Sequence, residues 1–178
     1  MRENTKQPKS HSCGILLYRV NPVTGKLYVF LGQADGPRYW NPSRKRPTKI
    51  WGLPKGRMEE GEDELTTAKR EFEEEVGTPA PDVKYKKMMD YDTPHDKLIT
   101  VFKAKIGCQG IAFGTPEIIS REYPVGSGNI VEYTELKDAQ WFEIEDALKV
   151  VMWGQKGILE KFNKDFKKKN KRKLRQAA

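Results

Sequence analysis

Apolar residues recur along the chain in two rhythms. Ser12 to Val20, with Ile15, Leu16, Leu17 and Tyr18, and then Leu27 to Leu31 are short β-favouring runs. Asn21-Pro22-Val23-Thr24-Gly25 between them is turn chemistry, so the two predict a hairpin. Ile50 to Pro54 predicts a short strand, and Val83 to Tyr91 and Lys97 to Ile106 two more. Ile130 to Glu135 and then Leu136 to Ile144 lead into a final strand carrying Trp141-Phe142. The other rhythm is helical. Leu65, Ala68, Phe72 and Val76 fall on one arc of a helix that starts near Asp63, and Glu145 to Met152 and Lys156 to Phe166 read as two more helices. Ile158, Leu159, Phe162 and Phe166 give the last helix its apolar stripe, and from Asn170 the chain is expected to fray. Residues 1–11 are polar and are expected to be disordered.

The helix after Asp63 carries the candidate chemistry. Asp63 can cap its start, with Glu62 and Glu64 near the positive end of the dipole, and Gly77 followed by Thr78-Pro79 stops it. Glu71, Glu74 and Glu75 share an arc of roughly 100° beside the apolar one. Three like charges so placed repel, and a hard divalent cation taking oxygen ligands would reverse the sign of that interaction. Arg70 adjoins the cluster and can hold a carboxylate through its fork of donors. The same spacing also suits a solvated acidic face, and spacing alone does not choose.

The wider pattern resembles the Nudix box. Gly56, five residues, Glu62, seven residues, Arg70-Glu71, the apolar Phe72, one residue, Glu74-Glu75, one residue and Gly77 match it at every charged and glycine position. Thr78 departs from it, standing where the family prefers an aliphatic residue. The resemblance implies an α/β/α sandwich with a mixed β-sheet, and Mg²⁺- or Mn²⁺-dependent hydrolysis of a nucleoside diphosphate linked to another group. It implies that Glu71, Glu74 and Glu75, with a main-chain carbonyl near Lys55 or Gly56, hold the metal, while Glu62 and Arg70 orient helix and loop. Pro54-Lys55-Gly56 is similar to the Nudix enzymes that cleave dinucleoside polyphosphates, in which the lysine meets a phosphate, while the whole entry Trp51-Gly52-Leu53-Pro54-Lys55-Gly56 resembles a bacterial and phage branch of undefined substrate. A further carboxylate is expected from outside the box. Glu135 is the first candidate by its spacing ahead of Trp141, just before a strand that the resemblance places at the sheet's centre, with Glu132 and Glu122 behind it.

Composition narrows this picture. The chain has 178 residues, enough for one domain, expected over residues 12–166. No apolar run is long enough to span a membrane, and no membrane partner is expected. Cys13 and Cys108 lack metal-like spacing and are read as reduced thiols of a cytoplasmic protein. The net charge of +8 lies entirely after Glu160, where nine basic residues face the single acid Asp165. The tail, residues 167–178, is therefore a candidate tether for RNA or another polyanion.

Gly36 to Lys49 is a long loop of Pro, Arg and aromatic residues. Its Arg38 and Arg44 are candidates to meet phosphates, and Tyr39 and Trp40 to stack on a base, although Trp40 equally suits the edge of a core. Gly107 to Gly128 is a second long segment, and Tyr123 within it joins the candidate substrate contacts. The leading reading is hydrolysis of a soluble nucleotide, with dinucleoside polyphosphates ahead of nucleoside triphosphates. An enzyme acting on the 5′ end of RNA and a non-catalytic binding module are the alternatives. The intact carboxylate set argues against the last.

Overall fold

Alternation along β1 (His11–Val20) decides the layering. Cys13, Ile15 and Leu17 join one buried cluster and Leu16 the other, because successive side chains of a strand point to opposite faces. The computed structural model describes residues 10–39, 50–93, 97–107 and 110–176. Asn21 caps the first turn, its Oδ1 accepting from the N–H groups of Val23 and Thr24 at 2.9 and 3.0 Å. β2 (Leu27–Ala34) returns antiparallel to β1, with Tyr18 opposite Val29. β3 (Trp51–Gly52) pairs with the far half of β2, and β4 (Lys55–Arg57) with the start of β1, where Gly56 stands opposite Cys13.

After α1 (Glu64–Val76), β5 (Lys86–Asp92) and β6 (Leu98–Lys105) form an antiparallel pair. β6 runs parallel to β1, which makes the sheet mixed. β7 (Ile118–Glu122) and β8 (Ile130–Thr134) form a separate hairpin, and β9 (Leu136–Glu143) comes back along β2. The order is β3-β2-β1-β6-β5, with β4 beside β1 and β9 beside β2. α2 (Ile144–Val150) and α3 (Lys156–Gln176) end the chain.

The sheet is covered on both sides. Ala68, Phe72 and Val76 of α1 pack with Ile15, Leu17, Phe30 and Phe102 on one face. Ala147 of α2 and Ile158, Leu159 and Phe162 of α3 pack with Leu16, Val29, Leu31 and Val101 on the other. This is the expected α/β/α sandwich. Truncating the fully buried Phe72 to Ala would cost about 3–5 kcal/mol. No helix among the described residues is long and apolar enough to cross a membrane.

Several elements differ from the sequence reading. β2 runs to Ala34, beyond Leu31, because β3 and β9 pair along its two edges. β5 begins at Lys86, not Val83, since residues 81–83 form a turn in which the Val83 N–H donates to the Pro81 carbonyl. β7 lies inside the segment read as an irregular loop, stabilised by pairing with β8. β9 lies along the margin of the sheet beside β2 and not at its centre. α3 continues through Asn170 to Gln176, where fraying was expected. Basic residues in the last turns of a helix interact favourably with its dipole, and Lys171, Arg172 and Arg175 stand there. Trp40 and Arg44, like residues 1–9 and Cys108, lie outside the described residues.

Candidate active site

α1 begins and ends as its sequence dictates. Asp63 Oδ1 accepts from the N–H groups of Leu65 and Thr66 at 2.9 and 3.1 Å, filling donors that a helix leaves open. Gly77 closes the helix at φ 72°, and a side chain there would also meet the Thr115 backbone at 2.2 Å. Thr78 has its own use. Its hydroxyl donates to the Ala112 carbonyl at 3.0 Å, tying the helix end to the following loop where an aliphatic residue would only pack.

Arg70 organises the acidic face. Its Nε and Nη2 donate to the two oxygens of Glu62 at 2.8 and 2.9 Å, a fork-on-fork pair. Nη2 also reaches the Arg57 carbonyl at 3.0 Å, which fastens β4 to the helix. Nη1 donates to Glu71 Oε1 at 3.0 Å and Glu74 Oε2 at 2.9 Å. Arg70 and then the Thr67 hydroxyl hold the Glu62 carboxyl down at about 2. Glu62 in return raises the Arg70 pKa above its ordinary value. The two residues thus act as a charged clamp across loop and helix.

Glu71 and Glu75 point inward from the same helix. Glu71 is 9% exposed and Glu75 7%, while Glu74 is more open. The Glu71 carboxylate fills the space above Gly56, where a Cβ would lie 1.7 Å from Oε2. Glu75 Oε2 accepts from the Lys55 N–H at 2.9 Å. Burial pushes the Glu71 carboxyl above its usual range, and pushes Glu75 well above it against the pull of Lys55. Glu135, placed between β8 and β9, lines the same cleft as Glu75 and raises its carboxyl further. Two carboxyl groups facing one cleft repel, and a proton or a cation between them relieves that repulsion.

These residues fit a hard divalent ion. The donors are all oxygens, two of the carboxylates are buried against their charge, and Gly56 leaves room for one of them. Among the described residues no three acids, histidines or cysteines already form an ion cage. Arg70 bridges Glu71 and Glu74, and Glu75 turns toward Lys55 and Glu135.

A cleft opens from this cluster. Lys55, Glu75 and Glu135 line it together with Arg38 and Tyr39, which a short 3-10 turn (Pro37–Tyr39) brings to its rim. Tyr123 does not line it. That residue sits at the far end of the β7–β8 hairpin, 44% exposed, with its N–H donating to the Asn129 carbonyl. Glu132 stands on β8 opposite Ser120, and Glu122 accepts from the Gly128 N–H, so neither reaches the carboxylate cluster as Glu135 does.

Sequence reasoning missed four other residues of the cleft. Arg121 and Tyr133 arrive on the β7–β8 hairpin, and Arg121 Nη2 lies 3.3 Å from Glu135 Oε1. Asp35 follows β2, and the buried Gln155 accepts from the Leu53 N–H at 2.8 Å and holds the cleft wall in place. Tyr133 carries a weak signal, the alternation of apolar and polar residues over 131–134, whereas Ile-Ile-Ser-Arg-Glu at 118–122 shows none for Arg121. Nothing in the local sequence around Gln155 announces its hydrogen bond across 102 positions.

Comparison with known proteins agrees with this geometry. The family model for the NUDIX domain matches residues 20–162. A mutT/nudix family protein from Listeria innocua superposes with a TM-score of 0.62 at 17% identity, covering 92% of this chain and 98% of that one. The NUDIX domain of Shewanella oneidensis NrtR, solved with ADP ribose, gives 0.60 at 14% identity over 93% and 94%. A C. elegans Ap4A hydrolase binary complex gives 0.55 at 23% identity over 87% and 97%. No curated protein matches the chain in sequence. The domain match over residues 20–162, on a sandwich whose box helix brings Glu75 to the cleft beside Lys55, shows that the chain belongs to the Nudix family of pyrophosphohydrolases.

Proposed function

We propose that the protein hydrolyses a pyrophosphate bond in a nucleoside diphosphate derivative, a dinucleoside polyphosphate ahead of a nucleoside triphosphate, with Mg²⁺ or Mn²⁺. The observation that carries this reading is the meeting of Glu75, Glu135 and Lys55 in one cleft with Arg38 and Tyr39 at its rim. In this reading Glu71, Glu74 and Glu75, with a main-chain carbonyl at Lys55 or Gly56, hold the ions. Bound there, a divalent ion neutralises the phosphates and lowers the pKa of water.

The chain's own residues do the rest. Lys55 and Arg38 meet phosphate oxygens, and Tyr39 offers a face for a base. Glu135 takes a proton from water as its oxygen bonds to phosphorus, and the bridging oxygen leaves with the second phosphate group. The Arg70–Glu62 clamp keeps β4 and α1 in register, so that the carboxylates keep their positions. The Arg121–Glu135 pair is the contact that an incoming phosphate would exchange with, freeing Glu135 to act on water. The RNA 5′-end reading keeps one supporting observation, the basic length of α3.

The test is a panel of nucleotides incubated with purified protein and either ion in ¹⁸O-water. It includes dinucleoside polyphosphates, nucleoside triphosphates, ADP-ribose and 5′-triphosphorylated RNA. Release of two phosphorylated products with ¹⁸O in one of them identifies the bond. Absence of hydrolysis across the panel in both ions overturns the reading.

A further inference from the structure

The face of the sheet that packs on α3 ends in lysines for which the cleft has no use. Lys86 and Lys103 stand directly opposite each other on β5 and β6. Like charges so opposed destabilise a sheet. Lys103 and Lys105 continue the period-two series of Ile99 and Val101, so they point to the α3 side. The Lys103 ammonium lies 5.8 Å from the centre of the Phe162 ring. α3 adds Lys161, Lys168 and Arg172, which with Asp165 follow at i, i+4, i+7 and i+11 along one side of the helix. Asp165 is engaged by Lys161 at 2.7 Å.

Lys103 feels this crowding. Burial lowers its pKa, Asp165 opposes the shift, and Lys169, Lys161 and Lys86 add to it. The acids of β5 give no relief. Asp90 and Asp92 are paired with Thr100 and Leu98 and so face the α1 side.

Such a cluster works against the fold, and an anionic partner turns the cost into attraction. We infer that the β5–β6 margin and the adjoining side of α3 form a docking surface for the phosphodiester backbone of a nucleic acid. From Lys161 to Arg172 the helix rises about 16 Å, a length that meets several successive phosphates and exceeds what one small nucleotide offers. The surface is also separate from the cleft. Among the described residues, none of β5, β6 or α3 lines the cleft, and β5 is three strand positions from β2, about 14 Å away across the sheet.

Flexible lysine point charges suit contact with backbone phosphates and not base reading. A membrane surface fits less well, because docking there needs an apolar face. The exposed large apolar residues among those described are Val23, Ile118, Tyr123, Val125, Ile130 and Trp153, all outside this patch. The inference does not depend on which pyrophosphate the cleft cleaves.

Fluorescence anisotropy of the full chain tests it, using as probes a labelled oligouridylate of about 20 nucleotides and a duplex DNA of about 20 base pairs, between about 50 and 200 mM salt. The variants are K86Q/K103Q and K161Q/K168Q/R172Q, with small-nucleotide turnover and thermal melting as controls. Each lost cation is expected to reduce the log–log salt slope by about 0.7 on the single strand and about 0.9 on the duplex. The K86Q/K103Q slope therefore falls by about 1.4 on the oligouridylate, while turnover and melting hold or melting rises. Comparison of the two probes decides whether single strand or duplex is preferred. Wild-type slopes and affinities in both variants overturn the proposal. So does failure of the wild type to bind either probe at the lowest salt, or capture by phosphatidylserine-containing vesicles without binding to either probe.

Discussion

The Glu71 carboxylate occupies the volume that a side chain at residue 56 would need, with Oε2 1.7 Å from the place of a Gly56 Cβ. The glycine of the loop and the glutamate of the helix are therefore one device. β4 approaches α1 closely only because residue 56 has no side chain, and that approach leaves the carboxylate 9% exposed between loop and helix. Gly56→Ala should displace Glu71 by about 1 Å or more and lower kcat/KM by about 10²-fold. Thermal melting should change far less than it does for a core truncation. Full activity of this variant would show that the close approach has no part in catalysis.

Glu75→Gln separates function from stability. The buried carboxyl has its pKa raised by burial, so its ionised form weakens the fold near neutral pH. The amide keeps the shape and can still accept from the Lys55 N–H. Turnover should fall by about 10²–10⁴-fold, and melting of the metal-free protein should stay level or rise. A variant both active and less stable would contradict the assignment.

Glu62 predicts an acid limb. Its folded pKa, held at about 2 by Arg70, lies below the ordinary value of 4.5, so the pair's contribution is present above the unfolded pKa. It is lost as pH falls from about 4.5 through about 2. Glu62→Gln should therefore melt lower than wild type at neutral pH, and the difference should shrink over that window. Melting curves at stepped pH check it. A constant difference down to the lowest pH would mean that charge is not the cause.

Glu135 shares the cleft with Glu75 and pairs with Arg121, whereas Glu122 accepts from the Gly128 N–H and Glu132 does not line the cleft. Glu135→Gln should lower kcat by about 10²–10⁴-fold with little change in KM, and higher pH should restore part of the rate as hydroxide replaces the lost base. Glu132→Gln should retain wild-type turnover. Collapse of the Glu132 variant with Glu135→Gln intact would move the role to the other residue.

The sequence by itself determined what local chemistry controls. Asp63 and Gly77 bound the box helix through caps that need only neighbours in the chain. The 3.6-residue period separates the face of Phe72 from the face of Glu71, Glu74 and Glu75. Alternation in β1 divides Ile15 from Leu16 and so foretells two covered faces. The tertiary structure decided what depends on pairing between distant segments. β7 exists because β8 lies beside it, β9 takes the margin because β2 offers a free edge there, and these two placements carry Arg121, Tyr133 and Glu135 to the cleft. Gln155 finds Leu53, and Lys103 meets Lys86, only once the sheet has formed. Short-range spacing encodes caps and faces, while register between strands is set by the simultaneous burial of both sheet faces, which no single segment contains.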